Sequence, residues 1–419
     1  MAFLNKTVYM VPVWYDSLAD MTDKLLRRTD WEQIPTSELD TAYLISFAHK
    51  VINDPKRFIS FRLKENRMPE IHMFGYLFEE KPENARPELT EIRLSCFGTG
   101  VGFLELFVTY GEGMTVEDIE NFAYKFKKAA KPDDSRYAYG DGKPSLDTAV
   151  KALLPDCAEA FFGSTASFKR ECYCFHMVKV PRDYDANSFE NALLLLRRNY
   201  NTMFVRENRT ESSKYEMRYA PYAYDQWGGS QVALVNLVRE CGHEKSDYFL
   251  NELKPARLLA DCRYMYLLLL NQRFSAIRYI DEIAESDVLG AKQAERLNGR
   301  IVNLKTAYSF RVISDDLIYQ NVYSRMYQLL DIDNLLADIQ DNEEQLALLQ
   351  SSHTAKNERM ASKFLFGISL LSLFSALIDA AGYFERFPRL QGFATGLSIG
   401  SVSLIVLLCV FWLMPKNKK

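Results

Sequence analysis

The stretch from Arg206 to Ser230 combines basic and aromatic side chains, and reads RENRTESSKYEMRYAPYAYDQWGGS. Guanidinium groups form paired hydrogen bonds with phosphates and aromatic faces stack on nucleobases, so this segment could bind a nucleotide. The candidate ligand-binding residues are Arg206, Arg209, Arg218, Tyr222, Tyr224 and Trp227. Packing on the surface or against another subunit would use the same residue types equally well.

A second candidate site surrounds Asp379, an acidic residue inside the apolar run from Phe364 to Tyr383. In a helix, this residue shares an arc of roughly 80° with four polar, small or basic residues. If this run crosses a membrane in an oligomer, the pore-lining residues would be the stripe Ser372, Ser375, Asp379, Gly382 and Arg386, and Tyr383, Glu385 and Arg389 would lie at the pore mouth. Close helix packing is the alternative for the serines and the glycine, and Asp379 could instead pair with a loop arginine for assembly.

Other patterns that could carry chemistry are weak. Gly142-Lys143 is followed by proline, so it does not form a phosphate-binding Walker motif. Gly98 to Gly102 joins two alternating runs, which predicts a hairpin turn. Cys172, Cys174 and His176 alternate as on one face of a strand and lack the spacing of a zinc site. We therefore predict no catalytic residue, no metal ligand and no enzymatic activity.

Composition narrows the class of protein. The chain of 419 residues has 55 acidic and 51 basic side chains and a formal charge of −4, which gives no electrostatic case for direct binding to nucleic acid. Its seven cysteines are scattered, as expected of reduced cytosolic thiols. The amino terminus lacks the pattern of a signal peptide.

Two apolar runs, Phe364 to Tyr383 and Phe393 to Met414, are each long enough to cross a bilayer as a helix. The connection of nine residues between them, 384–392, requires an antiparallel hairpin with a short external loop. Lysines precede the first run and follow the second. The positive-inside rule then predicts a multi-pass protein of the inner (plasma) membrane with both termini in the cytoplasm.

The residues before the first apolar run divide into three successive segments. Residues 1–242 alternate strand and helix patterns and predict a cytoplasmic α/β domain that could sense a ligand. The predicted strands include Phe58–Leu63 and His72–Phe78, and the predicted helices include Gln231–Cys241. Residues 243–313 read as a helical segment, and 314–363 as a stalk helix that continues into transmembrane helices at 364–383 and 393–414, before a basic tail at 415–419. The apolar residues of the predicted stalk helix recur mostly at spacings of three and four. An apolar stripe of this length favours a homo-oligomer. A break near Ser351 to His353 is the competing possibility.

This layout resembles the CorA family of magnesium transporters. That family ends its first span with Gly-Met-Asn and a loop of the type Phe-Glu-x-Met-Pro-Glu-Leu, and here Gly382-Tyr383 precedes Phe384-Glu-Arg-Phe-Pro-Arg-Leu390. The resemblance implies a pentameric membrane protein. The asparagine of the family motif has no counterpart in this chain. Arg389 replaces the acidic loop residue, and a ring of Arg389 side chains, with Arg386 nearby, would repel Mg²⁺.

A CorA-like scaffold without its cation filter is similar to the CorA-like membrane effectors of type III CRISPR systems. That similarity implies a channel in antiviral defence, gated by a nucleotide second messenger such as adenylated S-adenosylmethionine (SAM-AMP). The alternative is a divergent Mg²⁺ transporter gated by cytosolic metal. Its metal would lie at acidic residues along the stalk. Exposure of this helix face to solvent is the alternative explanation for these charges. These acidic residues are Asp331, Asp333, Asp338, Asp341, Glu343 and Glu344.

Overall fold

A computed structural model of the chain describes residues 5–39, 44–66, 85–129, 150, 152–160, 172–199, 216–284 and 291–341, together with residues 365, 368, 369 and 372. The chain divides into two compact units. The first comprises residues 1–289 and 296–343, and the second comprises residues 290–295 and 344–419. In the second unit the described residues are Ala291–Glu295, which are helical, and four exposed helical positions, Leu365, Ile368, Ser369 and Ser372.

The first unit is built on a mixed sheet of ten described strands. In chain order the strands are β1 (Lys6–Tyr15), β2 (Trp31–Gln33), β3 (Phe58–Leu63), β4 (Pro87–Phe97), β5 (Val101–Tyr110), β6 (Ala158–Ala160), β7 (Tyr173–Val180), β8 (Glu216–Tyr222), β9 (Asp225–Ser230) and β10 (Ala233–Arg239). Their spatial order is β2-β3-β4-β5-β1-β7-β10-β9-β8, and β6 pairs with the end of β1. Among these described pairings, only β7 with β10 is parallel.

Helices cover both faces of this sheet. The helices are α1 (Leu18–Arg27), α2 (Ser46–Asn53), α3 (Val116–Ala129), α4 (Ala186–Arg198), α5 (Glu244–Tyr248), α6 (Lys254–Arg257), α7 (Arg263–Ala284), α8 (Ala291–Asn303) and α9 (Leu317–Leu329). Single π-helical turns at Phe249–Leu253 and Leu258–Cys262 connect α5, α6 and α7 into one helical segment.

The central strands are buried on both faces because each face has its own helical layer. Tyr9 of β1 packs against Phe122 and Phe126 of α3, with ring centroids 5.9 and 4.2 Å apart. On the opposite face, Phe103 of β5 contacts Phe274 of α7 at 6.1 Å. Strands covered in this way read as continuous apolar runs, and this is the pattern of β1 and β5.

Several sequence predictions for the α/β part are confirmed. Strands occur where the alternating runs predicted them, including Phe58–Leu63 without any shift of its ends. The glycine segment after Phe97 is a hairpin turn, in which Gly100 has φ of 86°. A Cβ atom at Gly100 would lie 2.7 Å from the Tyr15 carbonyl oxygen, so both the backbone angle and the space require glycine. The predicted strand at His72–Phe78 lies outside the described residues.

The predicted helix over Gln231–Cys241 is wrong, because residues Ala233–Arg239 form strand β10. This strand is buried on both faces, so its apolar run contains no period that separates strand from helix. Its valines favour the strand, since β-branched side chains pack well on a pleated surface.

The predicted fold class requires a correction in its helical part. Among the described residues, no helix combines the length and the apolar character that crossing a bilayer requires. The longest of them, α7, has Arg263, Asn271, Gln272, Arg273 and Arg278 along its length. The described part of the structure therefore contradicts the prediction of two transmembrane helices, and with it the membrane-protein class and the inner-membrane location. Apart from the four helical positions named above, the stretches 364–383, 384–392 and 393–414 lie outside the described residues.

The predicted continuous stalk helix is also wrong in its described part. Helix α9 ends at Leu329, Asp331 has φ of 59°, and a further helix runs over 332–341. The apolar stripe of α9 packs on the sheet, with Val322, Tyr323 and Met326 fully buried. The spacing of apolar residues at threes and fours therefore comes from a helix that faces the core of its own chain. The alternative break near residues 351–353 lies outside the described residues.

Candidate functional site

The parallel strands β7 and β10 bring three loops together at their carboxyl ends. The main-chain amide of Arg239, the last residue of β10, donates to the carbonyl of Tyr224 in the β8–β9 turn at 2.8 Å. The guanidinium of Arg239 donates to the carbonyl of Tyr184 in the β7–α4 loop at 2.7 Å. We call residues 181–185, 222–225 and 239–247 the parallel-strand edge. The space outside the carboxyl ends of parallel strands is where open α/β sheets bind ligands.

Two tyrosines of the β8–β9 hairpin form an aromatic stack at this edge. The rings of Tyr222 and Tyr224 are 5.4 Å apart and within 5° of parallel. Tyr222 is 50% exposed, and Tyr224 is half-buried. Partial burial raises the pKa of Tyr224, and Tyr222, Cys241 and Asp225 add to that rise, whereas a hydrogen bond with the Ser246 side chain opposes it. The outer tyrosine therefore offers one ring face to a ligand, and the inner one fixes its orientation.

The loop after β10 is held in a defined conformation beside the stack. Gly242 has φ of 75°, which glycine adopts without strain. The Asp247 carboxylate accepts the main-chain amide of Cys241 at 3.0 Å, and this bond lowers the pKa of Asp247. The guanidinium of Arg182, from the β7–α4 loop, lies directly over Gly242 and would clash with any side chain there.

A buried ion pair forms the floor of the edge. Lys254 of α6 bonds Asp225, the first residue of β9, and their side chains are 3% and 7% exposed. Asn236 also donates to Asp225, at 2.8 Å. Burial lowers the pKa of Lys254, and the neighbouring Asp225 carboxylate opposes that shift. The pair connects the start of β9 to the helical segment at Lys254, the residue that directly follows the first π-helical turn. Turns of this type are frequent at functional sites.

The structure separates the sequence-predicted ligand residues into three groups. Tyr222 and Tyr224 lie together at the parallel-strand edge. Arg218 lies further along β8 and pairs with Glu190 of α4. Trp227 is fully buried, with its ring 6.4 Å from Tyr319 and under the Lys254 ammonium, so it belongs to the core. Arg206 and Arg209 lie outside the described residues.

No sequence pattern singled out Arg182, Asp225 or Lys254 as a site residue. Arg182 directly follows Pro181 after an apolar strand, and a polar residue at the end of a buried strand was the available signal. Lys254 had no comparable signal, because nothing in its spacing indicates that its ammonium is buried against Asp225.

No group of three or more histidine, cysteine or acidic side chains that could hold a metal ion occurs within the described ranges. Cys172, Cys174 and His176 are buried in the core, as the strand interpretation predicted. Of the pore-lining stripe, Ser372 is a described, exposed helical residue. Ser375, Asp379, Gly382, Arg386 and the mouth residues Tyr383, Glu385 and Arg389 lie outside the described residues.

Comparison with known proteins found no match among protein-family models, curated proteins or solved structures.

Proposed function

We propose that this chain is a nucleotide-binding sensor whose parallel-strand edge holds the ligand, with the base stacked on Tyr222. The exposed, parallel tyrosine pair at the carboxyl ends of β7 and β10 carries the proposal. A base needs an open aromatic face of fixed orientation, and stacking on such a face contributes about 1–3 kcal/mol per base.

The ion pair beneath the hairpin provides a route for the response. Asp225 follows Tyr224 directly and pairs with Lys254 in the helical segment. A ligand that repositions the hairpin therefore also displaces one member of this ion pair. A ligand shifts such an equilibrium only by its difference in affinity between the two arrangements. The proposed output is a change in the position of the helical segment, without catalysis.

This proposal keeps the nucleotide response of the effector hypothesis, with SAM-AMP as one ligand to test. A bilayer pore and a membrane Mg²⁺ transporter form no part of it. Self-association as a homo-oligomer stays a prediction, which native mass spectrometry of the full chain would check.

Isothermal titration calorimetry of the full chain with AMP and with SAM-AMP tests the proposal. Tyr222→Ala should weaken binding roughly 5- to 150-fold, which is the stacking range converted to dissociation constants. Tyr248→Ala is the matched control, because Tyr248 is 60% exposed on α5 and takes no part in the stack. Equal affinity of wild type and Tyr222→Ala, or no binding by the wild type, would refute the proposed site.

A further inference from the structure

We infer that Arg182 is the phosphate-binding residue of this site, so that its ligand is a nucleotide and not a nucleoside. This inference rests on the proposed nucleotide site. The observation behind it is a guanidinium that the fold places beside the tyrosine stack without giving it a protein partner in the described part of the chain.

The guanidinium of Arg182 lies against the main chain of Gly242, in the space that a side chain at that position would fill. The loops that carry Arg182 and the stack are joined through Arg239. Its main-chain amide donates to the Tyr224 carbonyl, and its guanidinium donates to the Tyr184 carbonyl. The guanidinium and the aromatic stack therefore face the same end of the β7–β10 pair.

Other arginines in this part of the sheet have partners. Arg239 donates to the Tyr184 carbonyl, and Arg218 pairs with Glu190. Arg197 and Arg198 both bond Glu216. Arg182 is exposed and forms no hydrogen bond or ion pair with any described residue. An arginine in such a position can bind a phosphate through two parallel N–H groups.

Two carboxylates of the edge, those of Asp185 and Asp247, already accept main-chain hydrogen bonds. Asp185 accepts the main-chain amides of Asn187 and Ser188 at 2.8 and 2.9 Å and caps α4. Asp247 accepts the amide of Cys241. Asp185 therefore occupies the first amides of α4, and these amides are not open to an anion.

The test compares AMP with adenosine by calorimetry on the full chain. Wild type should bind AMP about tenfold more tightly than adenosine, the effect of a charge-assisted hydrogen bond. Arg182→Gln should remove this difference and leave the adenosine affinity unchanged, and Arg182→Lys should keep part of it. Arg27→Gln, which alters an exposed arginine on α1, is the matched control and should behave as wild type.

Three results would overturn the inference. If Arg182→Gln keeps the preference for AMP, the phosphate is bound elsewhere, although the stacking site stands. If Arg182→Gln weakens AMP and adenosine equally, Arg182 only supports the loop. If wild type binds neither compound, the proposed function fails together with the inference.

Discussion

Acid pH should destabilise the protein through one buried histidine, His176 of β7. Its ring is fully buried, its Nδ1 atom lies 2.7 Å from the Thr7 hydroxyl, and burial lowers its pKa from 6.5 to about 3. The unfolded chain takes up a proton below pH 6.5, and the folded chain does not until about pH 3. The stability contributed by neutral His176 is therefore complete above pH 6.5 and is lost as the pH falls towards 3.

The size of this effect follows from the difference between the two pKa values. Each pH unit between them changes the free energy of unfolding by about 1.4 kcal/mol. At pH 5 the loss relative to pH 8 should be about 2 kcal/mol from this residue alone. Urea unfolding followed by tryptophan fluorescence at both pH values measures it, since the chain has four tryptophans.

A variant without the titrating ring isolates the contribution of His176. The loss of stability between pH 8 and pH 5 should be about 2 kcal/mol smaller in His176→Gln than in wild type. His49→Gln, at an exposed position on α2, is the control and should keep the wild-type dependence. Equal losses in wild type and His176→Gln would refute the reasoning, because the buried ring would then not resist protonation.

Three further predictions concern stability and can be measured by urea unfolding at neutral pH. Arg263→Met should destabilise the fold by about 3–5 kcal/mol, because it leaves Glu105 buried without the guanidinium that lies 2.7 Å away; replacing both residues with apolar ones should recover much of the loss. Asp331→Val should cost about 1–2 kcal/mol, since a β-branched residue is strained at φ of 59°, whereas Asp331→Gly should be tolerated. Gly100→Ala should destabilise through both strain and contact with the Tyr15 carbonyl, and a melting temperature equal to wild type would contradict the turn geometry.

The α/β pattern was predictable where one periodicity dominated. The run at Phe58–Leu63 was found with its correct ends. Strand β10 was not, because its short apolar run has only two β-branched residues and fits a helix as well as a strand. Strands β1 and β5 are equally buried but are rich in β-branched and aromatic residues, which identified them as strands. Helix α9 was predicted as a helix, but its surroundings were not. Its apolar residues do recur at spacings of three and four, but the sequence does not tell whether a sheet or another subunit covers this apolar face.

The candidate site was partly predictable for a similar reason. Tyr222 and Tyr224 lie in one short segment whose composition suggested a ligand. Arg182 and Gly242 are far apart in the chain and meet only because β7 pairs with β10 in parallel. No local pattern encodes that pairing. Trp227 was assigned to the ligand because aromatic composition alone does not separate a stacking surface from a core.

The position of β1 at the centre of the sheet has a consequence for how the chain folds. Its two neighbours are β5 and β7, and the pairing of Lys6 with Met177 closes a very long loop. Strands β3, β4, β5 and β1 can form an antiparallel sheet as soon as the chain has been synthesised to the end of β5. Strand β6 covers only Val13–Tyr15 of this edge, so until β7 is synthesised the remaining edge of β1 exposes the backbone of an almost wholly apolar strand. A nascent chain or fragment that ends before Tyr173 should therefore associate edge to edge, and folding should be slow for a chain of this size.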